Sequence, residues 1–440
     1  MIAVLLTLAL AAGAGEIPKG KLVEKVVCQG NASQSYALYL PSNYDPGRIW
    51  PTLYCFDPMA RGRFPVERFR EGAEKYGYIV AGSNNARNGP WPEIAAAIKA
   101  VWGDTQGRLS IDRRRVYAAG FSGGARAANW LAVAVGAAGV IACGGGFPGG
   151  ATPETVGYAF FGVAGTDDFN YHEMRQIGRE LDARGAVHRI AIFNGEHSWA
   201  SVPLATEALE WFELQAMRAG LRPKDEAMIQ RMFRARIEAA RSLPAPEAYL
   251  EYKSLAAEFK GAVPTAELET KAAELAGLRE VRDWEKKERE QQKRQEEMIK
   301  ALMDFGYLEQ LGEVRATVVG LRKKADAEQD SADRRQARRV LYGTFVEGYQ
   351  ASRDFLDKKE YARAAGMLEM AAVIRPERAQ VFYDLAHVRA LAGEKKKALA
   401  ALKQAVAGGF KDASRVEQDP AFSALRNDAA FQALVASMKH

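Results

Sequence analysis

The chain has 440 residues, of which 48% are hydrophobic and 26% charged, with a formal net charge of +6. That length predicts two or three domains with full-sized cores, and the composition excludes a disordered or fibrous chain. The positive charge is thinly spread, 21 Lys and Arg against 20 Asp and Glu through residue 220 and 40 against 35 beyond it. The run Arg113-Arg114-Arg115 precedes a strand and belongs to no aromatic-studded basic face, which argues against nucleic acid as a partner.

Residues 1–14 open with an apolar run from Ile2 to Ala12 and end in Ala12-Gly13-Ala14. The run is too short to span a bilayer and has the length of a signal-peptide core followed by a small-x-small cleavage pattern, which predicts export. No Lys or Arg precedes it, a departure from the usual pattern, and a buried N-terminal strand is the competing reading. No later segment is apolar enough to cross a membrane.

Eight strand-like runs follow: 22–28, 35–40, 52–56, 78–82, 115–120, 139–144, 159–165 and 188–195. Helical spacing of apolar residues appears between most of them, as at 67–76 and 90–102, and again at 203–217. Short apolar strands alternating with helices predict an α/β domain over 20–220, with a mostly parallel sheet covered on both faces. The cysteines, Cys28, Cys55 and Cys143, each lie in or beside an apolar run and read as small core residues rather than a disulfide framework or zinc site.

From Pro223 onward helix formers dominate. Residues 221–340 read as a helical connector, and 283–299 within it, nearly devoid of apolar residues, as a solvated helix. Over 341–440 a period of 34 emerges, with Ala364, Leu368 and Ala371 recurring as Ala398, Leu402 and Ala405. This pattern resembles tetratricopeptide repeats, in which small residues sit where paired helices cross. The resemblance implies an all-helical repeat domain that binds a protein or peptide partner on its concave face.

The stretch RVYAAGFSGGARAA (115–128) crowds three glycines around Ser122. A serine hydroxyl needs a base to become a nucleophile, and that base is usually histidine. Of the five histidines, His387 lies in a repeat helix and His440 is the last residue; His188 begins a strand, at the wrong end of the sheet. His197 follows a strand, as does the acidic pair Asp167-Asp168, so Ser122, Asp168 and His197 fall in chain order on loops after successive usable strands. His172, in the turn after the acid, is placed to line the site.

On these residues the chain resembles the α/β hydrolases over about 20–215, and within them the compact esterases related to polyhydroxyalkanoate depolymerases and feruloyl esterases. The motifs that carry the likeness are RVYAAGFSGG, the acid turn Gly165-Thr166-Asp167-Asp168, which favours Asp168, and the turn Gly195-Glu196-His197-Ser198-Trp199. The resemblance implies Ser122 as nucleophile, His197 as base, Asp168 as its orienting acid, and the Gly123 N–H as one oxyanion donor. Where the family often carries His-Gly after its third strand, this chain has Phe56-Asp57-Pro58-Met59-Ala60-Arg61-Gly62. Pro58 lacks an N–H, so Met59 is the expected second donor; Asp57 and Arg61 either contact substrate or clamp one another. Asn84, Asn85 and Trp91, after the fourth strand, are either substrate contacts or turn residues. Neither a metal nor an organic cofactor is expected. The reading is an exported serine esterase, with a serine peptidase and a non-catalytic repeat scaffold as rivals. A chain ending near residue 222 is expected to keep small-ester turnover.

Overall fold

The computed structural model describes residues 17–307 and 311–439; the expected signal peptide lies outside them. Eight strands form one sheet: β1 (Leu22–Cys28), β2 (Asn31–Tyr39), β3 (Trp50–Phe56), β4 (Ile79–Ser83), β5 (Ile111–Phe121), β6 (Gly139–Cys143), β7 (Ala159–Gly165) and β8 (His188–Phe193). Their spatial order is β1-β2-β4-β3-β5-β6-β7-β8. β2 runs antiparallel to both its neighbours, whereas β4, β3, β5, β6 and β7 are mutually parallel. Parallel neighbours need crossovers, which everywhere but between β6 and β7 are supplied by helices. These are α1 (Arg63–Tyr76), α2 (Trp91–Arg108), α3 (Gly123–Val135) and α4 (Tyr171–Ala183), with α5 (Val202–Arg218) after the last strand.

Strand side chains alternate between faces, so the central strands feed two cores. On one face Leu38, Ala118, Val140 and Ala142 meet Ile98 and Val101 of α2, Leu131 of α3, and Met174 and Ile177 of α4. On the other, Ala37, Tyr117, Ile141 and Cys143 meet Phe69 of α1 and Leu209 and Phe212 of α5. Both faces being apolar is why these strands read as continuous hydrophobic runs. All three cysteines are buried, the core role expected of them.

The first compact unit does not stop at residue 220. Apart from two turns it continues to Ala276, taking in α6 (Glu226–Arg241), α7 (Ala245–Glu258) and α8 (Ala266–Ala276). Leu214 and Met217 on α5 are covered by Met228, Ile229, Met232, Leu255, Phe259 and Leu268. The expected connector over 221–340 is therefore divided. Its first three helices share a core with α5, because α5 is apolar on more of its surface than the sheet can cover.

The second unit comprises residues 277–440 together with the turns 165–172 and 194–197. Its helices include α9 (Arg279–Tyr307), α10 (Leu311–Ala325), α11 (Ala332–Asp357), α12 (Tyr361–Ile374), α13 (Ala379–Leu391) and α14 (Lys395–Ala407). Ala364, Leu368 and Ala371 on α12 and their counterparts Ala398, Leu402 and Ala405 on α14, 34 positions on, are all buried. The period seen in the sequence is thus a period of buried helix contacts. The charged helix α9 is more than a solvated connector: Gln295, Ile299, Leu302 and Met303 are buried, and the last three join the core of this unit.

Candidate active site

Strand β5 ends at Phe121 and α3 begins at Gly123, so a single residue, Ser122, makes the strand-to-helix turn. It does so at φ 54° and ψ −122°, a region L-residues rarely enter, at a cost on the order of 1–3 kcal/mol. Neighbouring hydrogen bonds hold it there. Ser122 N–H donates to Cys143 O on β6 at 2.8 Å, and Ser122 O accepts from Ala125 N–H at 3.0 Å. The flanking glycines are needed for clearance. A Cβ on Gly120 would lie 1.9 Å from Gly124 O, and one on Gly124 would lie 2.0 Å from Phe56 O. Gly124→Ala is therefore expected to destabilise the fold by about 3 kcal/mol, since the obstructing atom is backbone; thermal denaturation reads this as a fall in Tm of several degrees.

The turns after β7 and β8 carry the acid and the histidine. Asp168 is completely buried, and its Oδ1 lies 2.8 Å from His197 Nδ1. The same oxygen accepts from Asn170 N–H at 2.8 Å, which fixes the carboxylate plane. The imidazole ring lies 4.4 Å from the Phe169 ring and 5.8 Å from that of Tyr342 on α11. Asp167 is committed elsewhere, accepting from Arg338 Nη1 at 2.9 Å. The structure thus joins Asp168, and not its neighbour, to His197.

Residues of α9 and α11 hold these two turns, and no local sequence pattern points to them. Arg339 donates from Nη1 to Thr166 O at 2.9 Å and from Nε to Gln295 Oε1 at 3.0 Å. Gln295 in turn donates to Phe169 O at 3.0 Å. Arg338 and Asp167 are 171 positions apart, beyond the reach of any local pattern.

The loop after β3 corrects several expectations. Asp57 is fully buried and accepts from Arg61 Nε and Nη2, from Trp199 Nε1 and from Met59 N–H, each at 2.9 Å. Burial alone pushes its carboxyl up, but these donors together outweigh burial and hold it below the usual carboxylate range. Asp57 is the clamp, not a substrate contact. The Met59 N–H is spent on that carboxylate and is no free oxyanion donor, while the Met59 side chain is exposed.

Asn84 and Asn85 are likewise structural. Asn84 Nδ2 donates to Glu24 O at 3.1 Å, while Asn85 Oδ1 accepts from Ser35 N–H at 2.9 Å and its Nδ2 donates to Ser33 O at 3.2 Å. Both side chains secure the edge formed by β1 and β2. His172 is buried in the first turn of α4, edge-on to Tyr171, rather than lining an open site. Trp91 is partly exposed and packs edge-on against Trp130.

Ser122 thus sits on a strained turn between strand and helix, on a central strand of the mostly parallel sheet of this α/β domain. An all-helical region follows that domain. Solved structures similar to it include S-formylglutathione hydrolase FrmB from Staphylococcus aureus, 13% identical, covering 45% of this chain and 99% of that one with a TM-score of 0.36. A ferulic acid esterase is 15% identical, covering 44% of this chain and 97% of that one, with a TM-score of 0.37. Esterase B from Lactobacillus rhamnosis is 15% identical over 47% of this chain and 90% of its own, also with a TM-score of 0.37. No family model matches the chain, and no curated protein matches it.

Proposed function

We propose that this protein is a serine esterase. The observation that carries the reading is Ser122 itself, a non-glycine residue kept at φ 54° on the turn between β5 and α3. Such strain is retained where it holds a group out for chemistry. His197 removes the Ser122 proton as the hydroxyl attacks the ester carbonyl, then returns it to the leaving alcohol. Asp168 keeps Nδ1 protonated, so that Nε2 faces the reaction, and stabilises the imidazolium. The Gly123 N–H donates to the tetrahedral oxyanion, water releases the acyl group, and no metal or cofactor takes part.

Turnover of short acyl esters, feruloyl esters and dipeptidyl amides by the purified protein tests the reaction class. Ester turnover with inert amides supports the reading; the reverse would make the protein a peptidase. Asp168→Asn is expected to lower kcat by about 10⁴-fold, because the amide fixes the wrong tautomer. Asp167→Asn leaves the Asp168–His197 bond intact and is expected to cost less than tenfold. Steady-state kinetics of the two variants separates them.

Residues 1–14 serve in this reading as a signal peptide, so that the mature chain begins near Gly15 in the periplasm or outside the cell. N-terminal sequencing of protein made in a secreting bacterium tests it, and an intact Met1 would refute it. The repeat-like helices α11 to α14 are assigned a partner-binding role as tetratricopeptide-like hairpins. Pull-down of a partner by residues 341–440 in the full chain, lost on surface substitution of those helices, tests that role.

A further inference from the structure

The Gly123 N–H is the first amide of α3 and has no carbonyl of its own helix to donate to. Oxyanion sites of this kind pair such an amide with a second donor from the loop after the third strand. Here that loop does not provide Met59, whose N–H is held by Asp57 Oδ1 at 2.9 Å. Met59 is therefore not the second donor.

A side chain lies against it. The carboxamide of Asn88, on the loop between β4 and α2, covers the Cα of Gly123. A Cβ built on that glycine would fall 2.0 Å from Asn88 Oδ1, 2.7 Å from its Cγ and 2.9 Å from its Nδ2. Asn88 thus occupies the space that a side chain at the position after the nucleophile would fill. Its own backbone is fastened, with Asn88 N–H donating to Pro58 O at 2.9 Å and Arg87 bridging Met59. Asn84 and Asn85, earlier in the same loop, spend their amides on β1 and the β2 edge. Asn88 has no side-chain hydrogen bond among those found between the described residues, and it is half-buried. Rotation of the carboxamide about its last torsion presents either the oxygen or the NH₂ to a given point, so the edge facing a ligand is set by what the ligand offers.

We propose that Asn88 is the second oxyanion donor, its Nδ2 hydrogen-bonding the tetrahedral intermediate beside the Gly123 N–H. This rests on the serine-hydrolase reading above. Gly123 has no side chain because one would displace the amide that does this work. An oxyanion is a strong acceptor and a ground-state carbonyl a weaker one, so the interaction acts mainly in the transition state.

The test compares Asn88→Ala and Asn88→Asp with the wild-type full chain, on one small ester and on its thionoester, whose sulfur accepts hydrogen bonds poorly. Loss of one such donor is expected to lower kcat on the oxygen ester by about 10²-fold with KM within about twofold. Asp is nearly the shape of Asn but, ionised, has no proton to donate, so it is expected to fare no better than Ala. Thionoester turnover should fall far less, collapsing the preference for oxygen that the wild type shows. A kcat within threefold of wild type, or an equal fall on both substrates, would overturn the proposal. Ser122→Ala in the same assay separates the two claims. If Ser122→Ala is dead while Asn88→Ala keeps its kcat, only the role of Asn88 fails; an active Ser122→Ala would remove the serine mechanism itself.

Discussion

Ser122→Ala and His197→Ala are each expected to lower kcat/KM on a small ester by at least about a thousandfold, with Tm within a few degrees of the wild type. The size follows from the members of such a triad acting as one unit, so that loss of either the nucleophile or its base costs nearly what losing both does. Stability should survive for separate reasons. Alanine at 122 removes only an oxygen, and the strained turn is held by main-chain bonds to Cys143 and from Ala125 that remain. Alanine at 197 leaves Asp168 with its Asn170 bond, although Phe169 loses a ring neighbour 4.4 Å away. Circular dichroism and thermal denaturation beside the kinetics distinguish lost chemistry from lost fold.

The second large effect concerns where the chain can be cut. A chain ending at residue 222 is expected to aggregate rather than fold. It would uncover Leu214 and Met217, which lie beneath Met228, Ile229, Met232 and Phe259. Burying one such side chain is worth roughly 1.5–3 kcal/mol, so several together rival the whole margin of about 5–15 kcal/mol that keeps a domain folded. This reverses the expectation drawn from the sequence. A chain ending at Ala276 keeps that cluster but lacks Gln295, Arg338, Arg339 and Tyr342, the partners of the acid and histidine turns. It is expected to be soluble yet to turn over esters at least about a hundredfold more slowly, the scale of loss when catalytic groups move by about an ångström. Sedimentation and ester kinetics on the two shortened chains read both outcomes. Full activity from the chain ending at Ala276 would show that the two turns hold their shape unaided.

Local chemistry explains what was legible beforehand. The central strands were visible because β3, β4, β6 and β7 are buried on both faces and bounded by turn residues, and the elbow because its glycines answer a steric demand within five positions. The pairing of Asp168 with His197 could be read because each directly follows its own strand. What escaped depends on distance or on single polar bonds. The sequence of α6 to α8 does not reveal that their apolar stripe meets α5. Nor does Asn88 differ in kind from Asn84 and Asn85; only the fold sends two of these amides to the β1–β2 edge and the third to the nucleophile turn. Asp57 looked equally fit for substrate or for a clamp until Trp199, 142 positions away, supplied a further donor.

The central claim is that Ser122 is an activated nucleophile, and covalent labelling tests it without any choice of substrate. A fluorophosphonate reacts with a serine only when a base has made it nucleophilic. The full chain should gain one phosphonyl group by intact mass, and the modified residue in its peptide digest should be Ser122. Ser122→Ala should gain none, and His197→Ala should label at least about a hundredfold more slowly. An unlabelled wild type, or the group on another residue, would contradict the account.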